Sequence, residues 1–118
     1  MNELAARFSG NVDFLTVYQK EAHPKGGWEA PDQPNVVFEA ANTQERLAVA
    51  REFYAKVGSK GQLAVDCIEN HALLLFAALP DRIFVINAEH CFVHVQEPGP
   101  FGYQPDDLAM FLDSETRK

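Results

Sequence analysis

Val12-Asp13-Phe14-Leu15-Thr16-Val17-Tyr18-Gln19-Lys20-Glu21-Ala22-His23-Pro24-Lys25-Gly26-Gly27-Trp28 changes its backbone habit half-way along. The first half reads as a strand, because Val12, Phe14, Leu15, Val17 and Tyr18 are apolar or β-favouring. The second half cannot extend it. Pro24 has no N–H to donate and holds His23 extended, and Gly26-Gly27 admits backbone angles closed to other residues. The expectation is a buried strand over Val12–Tyr18 whose carboxyl end opens into a turn carrying Glu21, His23 and Trp28. In open α/β sheets, ligands gather at such strand ends.

Upstream, Asn2 to Ser9 reads as a short helix, with Leu4, Ala5 and Phe8 on one face and Gly10 as its stop. Downstream, residues 19–41 form a long connection containing Pro24, Pro31 and Pro34, with a short strand at Val36-Val37-Phe38. Asn42 and Glu45 form a capping box, and Leu47, Ala50, Tyr54 and Val57 make the buried stripe of a helix that Gly58 ends. Gln62 to Cys67 is a strand, and Glu69 to Leu79 a short buried helix stopped by Pro80. Ile83 to Ile86 has the uninterrupted apolar character of a central strand covered on both faces, and Cys91 to Val95 is its hairpin partner. Pro105 starts a last helix with Asp106 and Asp107 at its positive end, and Ser114 to Lys118 should fray.

Composition bounds the function. The chain of 118 residues is one domain over 1–118, with 19–41 as a loop insertion. A 47% hydrophobic content and nine Phe suffice for a core. A net charge of −7 with no cluster of Lys or Arg argues against nucleic acid. No apolar run is long enough to span a bilayer and the N-terminus does not open as a secretory signal. Cys67 and Cys91 form no CxxC pair and suit a reducing cytosol, so a cytoplasmic location is expected.

Three stretches carry a resemblance. Val17-Tyr18, Glu21-Ala22-His23-Pro24 and Gly27-Trp28 form the first. Val65-Asp66, Asn70 and Phe76-Ala77-Ala78-Leu79-Pro80-Asp81-Arg82-Ile83-Phe84-Val85-Ile86 form the second. Gly99-Pro100, Gly102-Tyr103 and Pro105-Asp106-Asp107-Leu108 form the third. In order and spacing they resemble the iodothyronine deiodinases. The resemblance implies an α/β, thioredoxin-like fold: a mixed sheet flanked by helices, here incomplete. The element order, β-α-β-α-β-β-α after a helical fragment, matches the latter part of such a domain and lacks the first strand of the βαβ unit. That strand would lie between Val12–Tyr18 and Ile83–Ile86.

An unfilled slot is costly. Each unmade buried backbone hydrogen bond costs roughly 1–3 kcal/mol, against a domain stability of about 5–15 kcal/mol. The two strands pair directly, or another segment fills the slot, or two chains exchange edges. The last is preferred, giving a homodimer through unpaired strand edges.

The resemblance also implies site residues. Glu21 and His23 are the catalytic candidates, His23 for proton delivery near neutral pH. Tyr18, Trp28, Asp81 and Arg82 are the substrate-binding candidates, and a small aromatic molecule is the expected ligand. Read without the resemblance, the residues favour a solvated turn for the His23 loop and a loop anchor for Trp28. The family nucleophile is a selenocysteine or cysteine on the loop after the first strand, and no residue here aligns with it. Cys67 and Cys91 have no helix N-terminus to activate them. His90 and His94, placed on one face of a strand, would be about 13 Å apart along it, too far to share one metal ion. No metal or cofactor is expected. Three functions remain open: a deiodinase-like protein without dehalogenase activity of its own, a deiodinase-type oxidoreductase whose nucleophile comes from another segment or chain, and a non-enzymatic binding or assembly module.

Overall fold

The computed structural model describes residues 1–20, 40–58 and 61–117. Among these residues eight elements follow one another: α1 (Asn2–Arg7), β1 (Leu15–Tyr18), α2 (Thr43–Val57), β2 (Gln62–Val65), α3 (His71–Phe76), β3 (Phe84–Ile86), β4 (Phe92–Val95) and α4 (Pro105–Thr116). The chain is a mixed α/β protein, and the order is the one expected. The proposed strand at Val36-Val37-Phe38 lies outside the described residues.

Local chemistry sets the helix ends. The Asn42 side chain accepts from the Glu45 N–H at 2.9 Å, and the Glu45 carboxylate reaches back to the Ala41 N–H at 2.7 Å. Gly58 closes α2 in the left-handed conformation, φ 60° and ψ 39°. At α4, Pro105 occupies the first turn beside Asp106 and Asp107. That helix runs on to Thr116 instead of fraying from Ser114. The Thr116 hydroxyl donates to the Leu112 carbonyl at 2.8 Å.

Among the described residues the sheet is two separate two-stranded pieces, with the gap between them where the missing first strand would lie. β1 and β2 run parallel, with Leu15 opposite Gln62 and Tyr18 opposite Val65. β3 and β4 run antiparallel, with Phe84 opposite Val95 and a bulge between Val85 and Ile86. Among the described residues no ladder joins the two sheets.

Packing connects them instead. Phe8, Ile83, Leu108 and Leu112 form the core, with Leu4, Val12, Phe14, Val85, Tyr103 and Phe111 packed around it. Phe14 leads into β1 and Val85 lies within β3, so the segment before the first sheet and a strand of the second share one cluster. Each fully buried large side chain contributes about 1.5–3 kcal/mol. Gln96, also buried, ties the core together. Its amide donates to the Gln104 carbonyl at 2.7 Å and accepts from the Gln104 N–H at 2.8 Å, fixing the end of β4 to the start of α4.

The split sheet corrects several burial expectations. β1 begins at Leu15 rather than Val12 and is not a buried strand: Leu15 is 59% exposed and Val17 also faces solvent. β3 is not covered on both faces, for Ile86 is 55% exposed. Among the described residues each of these strands has one neighbour, leaving an open edge and an incompletely covered face. α3 is short and carries no buried residue, with Leu74 and Leu75 70% and 79% exposed. In α2 the predicted stripe holds at Ala50 and partly at Leu47 and Tyr54, but Val57 is exposed. Arg46 takes the buried place instead.

Candidate functional site

The carboxyl end of β1 and the turn before β3 meet at one side chain. Gln19, one residue beyond β1, donates its amide nitrogen to the Ala78 carbonyl at 2.7 Å and to the Pro80 carbonyl at 3.3 Å. The Leu79–Pro80 peptide is cis, as is Gly99–Pro100. Three of the six residues singled out from sequence stand around this junction: Tyr18 on one side, Asp81 and Arg82 on the other. Glu21, His23 and Trp28 lie outside the described residues.

Tyr18 is half-buried at the end of β1, its ring 6.0 Å from that of Phe53 on α2. Its carbonyl accepts from the Asp66 N–H at 2.8 Å. Arg82 is a bracket for its own turn. Its Nε donates to the Gln96 carbonyl and its Nη1 to the Phe76 carbonyl, both at 2.7 Å, and its guanidinium lies 5.0 Å over the Phe84 ring. Phe84 in turn contacts Phe76 and Phe92 at centroid distances of 5.1 and 5.6 Å.

Asp81 is exposed and faces the loop that leads to α4. Its carbonyl accepts from the Gly99 N–H at 2.8 Å, and its carboxylate rests where a Cβ on residue 99 would have to be. Burial and the Asp81 charge both hold the Tyr103 phenol above its ordinary value of 10.0.

A second polar cluster holds the chain behind this junction. Asp66 is buried after β2 and accepts from the N–H groups of Ala72 and Leu73 at 2.9 and 3.0 Å, capping α3. Asn70, the formal cap residue, has φ 61° and makes no capping bond of its own. Arg46 is 1% exposed and donates from Nη1 to the Cys67 carbonyl at 2.7 Å and the Asp66 carbonyl at 3.3 Å. Burial alone would raise the Asp66 pKa, but the N–H groups of Ala72 and Leu73, the Arg46 charge and the Cys67 N–H outweigh it. The carboxyl is therefore held below its ordinary 3.8. Cys67 shares its thiol with this carboxylate at 3.8 Å, and Cys91 is exposed in a turn.

The histidine geometry differs from the sequence expectation. His90 lies in the turn before β4 with φ 64°, not on the strand with His94. Asn87 causes this, its side chain accepting from the N–H groups of Glu89 and Cys91. His94 stacks on Phe111 at 4.8 Å and pairs with Gln96. Among the described residues no group of three His, Cys, Asp or Glu is placed to hold a metal ion. Nor is any helix among them long and apolar enough to cross a membrane.

Sequence reasoning missed Gln19, Arg46, Gln96 and Tyr103 as individual residues. Arg46 had a signal: it lies four residues before Ala50, on the buried side of α2. Gln19 had none, because its partners lie far along the chain. A cavity of about 420 Å³, lined by Ala5, Phe14, Gly61 and Gln62 among others, sits at the amino ends of β1 and β2, away from the junction.

A family profile described as iodothyronine deiodinase matches residues 1–116. The chain is 29% identical over 122 residues to type II iodothyronine deiodinase of Gallus gallus, covering 99% of this chain and 43% of that protein. It is 30% identical to type II iodothyronine deiodinase of Fundulus heteroclitus over 116 residues, 94% of this chain and 43% of that protein. Thyroxine 5-deiodinase of Rattus norvegicus is 31% identical over 111 residues, 93% of this chain and 36% of that protein. The chain spans less than half the length of these relatives.

Proposed function

The chain belongs to the iodothyronine deiodinase family, and from that premise we propose that it carries the ligand-facing part of a deiodinase-type site on a thioredoxin-like framework. The observation that carries this is the junction itself. Gln19 joins the end of the Tyr18 strand to the Leu79–Pro80–Asp81 turn, where two of the family-like stretches meet. The ligand is an iodinated phenol or a similar aromatic acid. Tyr18, Trp28, Asp81 and Arg82 surround it, and Glu21 and His23 deliver protons. Tyr103 belongs to the same set.

These 118 residues do not remove iodine by themselves. Taking iodine off an aromatic ring calls for a strongly nucleophilic thiolate or selenolate. The Cys67 thiol is bonded to the Asp66 carboxylate and the Cys91 thiol to the Glu89 carbonyl, and neither is drawn to the junction. A nucleophile brought by another segment or chain would complete an oxidoreductase. The free thiols suit a reducing, cytoplasmic setting.

Titrating diiodotyrosine while following fluorescence of Trp28, the single tryptophan, tests the binding. A saturable change that weakens in His23→Ala is expected, without iodide release in the presence of thiols. No change at millimolar ligand would remove the binding claim. Iodide release lost in Cys67→Ser would identify a nucleophile and overturn the second claim.

The open strand edges favour a second reading, that of an assembly module. β1 has a ladder to β2 alone and β3 to β4 alone among the described residues. A strand from a second copy, laid between them, satisfies both edges. Light scattering of the purified chain should then give a dimer, and a well-folded monomer at micromolar concentration would exclude it.

A further inference from the structure

We propose that Gln19 is a positioning residue of this site, setting the spacing between the Tyr18 end of β1 and the turn that bears Asp81 and Arg82. The proposal rests on the ligand-binding reading above. No ladder ties β1 to β3 among the described residues, so their relative placement depends on side chains. Gln19 crosses the gap with one nitrogen that carries two N–H groups, and both carbonyls it reaches belong to the same turn.

The turn needs those donors. The last carbonyls of a helix have no partner within it, and beyond α3 the chain enters a proline that cannot donate. The Phe76 carbonyl is taken by Arg82, and the Ala78 and Pro80 carbonyls by Gln19. The turn is thus held from the β4 side by Arg82, which also bonds the Gln96 carbonyl, and from the β1 side by Gln19. Releasing Gln19 leaves the first hold in place. The fold should survive while the turn moves relative to Tyr18.

A glutamine suits this position better than its neighbours in chemistry. Glutamate has the same reach but presents a carboxylate to two carbonyl oxygens. Asparagine is one methylene shorter. Methionine fills the space and donates nothing. Lysine restores donors through a longer, more flexible arm.

Two measurements separate the outcomes. In the first, without ligand, hydrogen exchange of the Asp81, Arg82 and Gly99 amides is compared between wild type and Gln19→Met. Faster exchange confined to this turn, with α2 amides unchanged, is expected. Unchanged exchange at Asp81 and Arg82 overturns the proposal. In the second, diiodotyrosine affinity is read well below the melting temperature of each variant. Gln19→Met and Gln19→Glu should weaken binding about tenfold, and Gln19→Lys should recover most of it. Equal affinity in wild type and Gln19→Met also overturns the proposal. Failure of wild type itself to bind removes the ligand-binding reading instead, and the exchange experiment still decides whether Gln19 sets the turn.

Discussion

Arg46 and Asp66 sit together in the interior, but the guanidinium donates to the Asp66 carbonyl while the Asp66 carboxylate serves the amides of Ala72 and Leu73. The pair is a relay from α2 through the end of β2 to the start of α3. Both residues are buried, so losing Arg46 strands the Asp66 and Cys67 carbonyls, and losing the Asp66 carboxylate strands the Ala72 and Leu73 amides.

Arg46→Met should destabilise the fold by about 3 kcal/mol and Asp66→Asn by about 2 kcal/mol at neutral pH. The Asp66 contribution is pH-dependent. Its carboxyl is depressed in the folded state, so the stabilisation is complete above the ordinary value of 3.8 and is lost as pH falls through the lower folded value. Urea unfolding of wild type and Asp66→Asn should therefore converge in acid. A difference that stays constant below pH 3.8 would contradict the assignment.

Gly99→Ala and Gly102→Ala should behave differently although both sites are crowded. A Cβ at residue 99 meets the Asp81 carboxylate, the end of an exposed side chain that can swing aside. A Cβ at residue 102 meets the backbone of Glu97 and Pro98, which cannot. Thermal melts should show a small loss for Gly99→Ala and a loss of about 3 kcal/mol for Gly102→Ala. Equal losses would mean that the Asp81 side chain is as fixed as the backbone.

Arg82→Lys preserves the charge and should still destabilise by about 1–2 kcal/mol. One ammonium cannot reach both the Gln96 and Phe76 carbonyls that the guanidinium bridges. Chemical denaturation checks this, and a neutral substitution would show that the bracket contributes nothing.

Asp81→Asn should lower the Tyr103 titration toward 10.0 without reaching it. Burial is the larger cause of the elevation and remains, while the charge of Asp81 is removed. Phenolate absorbance, with Tyr103→Phe subtracted to isolate this tyrosine from Tyr18 and Tyr54, reads the change. An unmoved titration would place the carboxylate too far away to act.

What the sequence determined by itself is what neighbours along the chain decide. The Asn42–Glu45 box, the Gly58 stop and the Pro105 start were legible because each device spans four residues or fewer. The order of strands and helices followed from apolar periodicity and from Pro and Gly punctuation, and the family from three stretches in register. Tertiary structure alone decided the rest. The expected buried strands are half-exposed because a strand's burial depends on what the fold lays over its faces, which its own pattern cannot report. Arg46 is buried because carbonyls 20 and 21 residues away accept its hydrogen bonds. Gln19 joins the site to its turn across 59 residues. A polar side chain reads as solvent-facing until the fold brings it an acceptor, and only the three-dimensional arrangement supplies one.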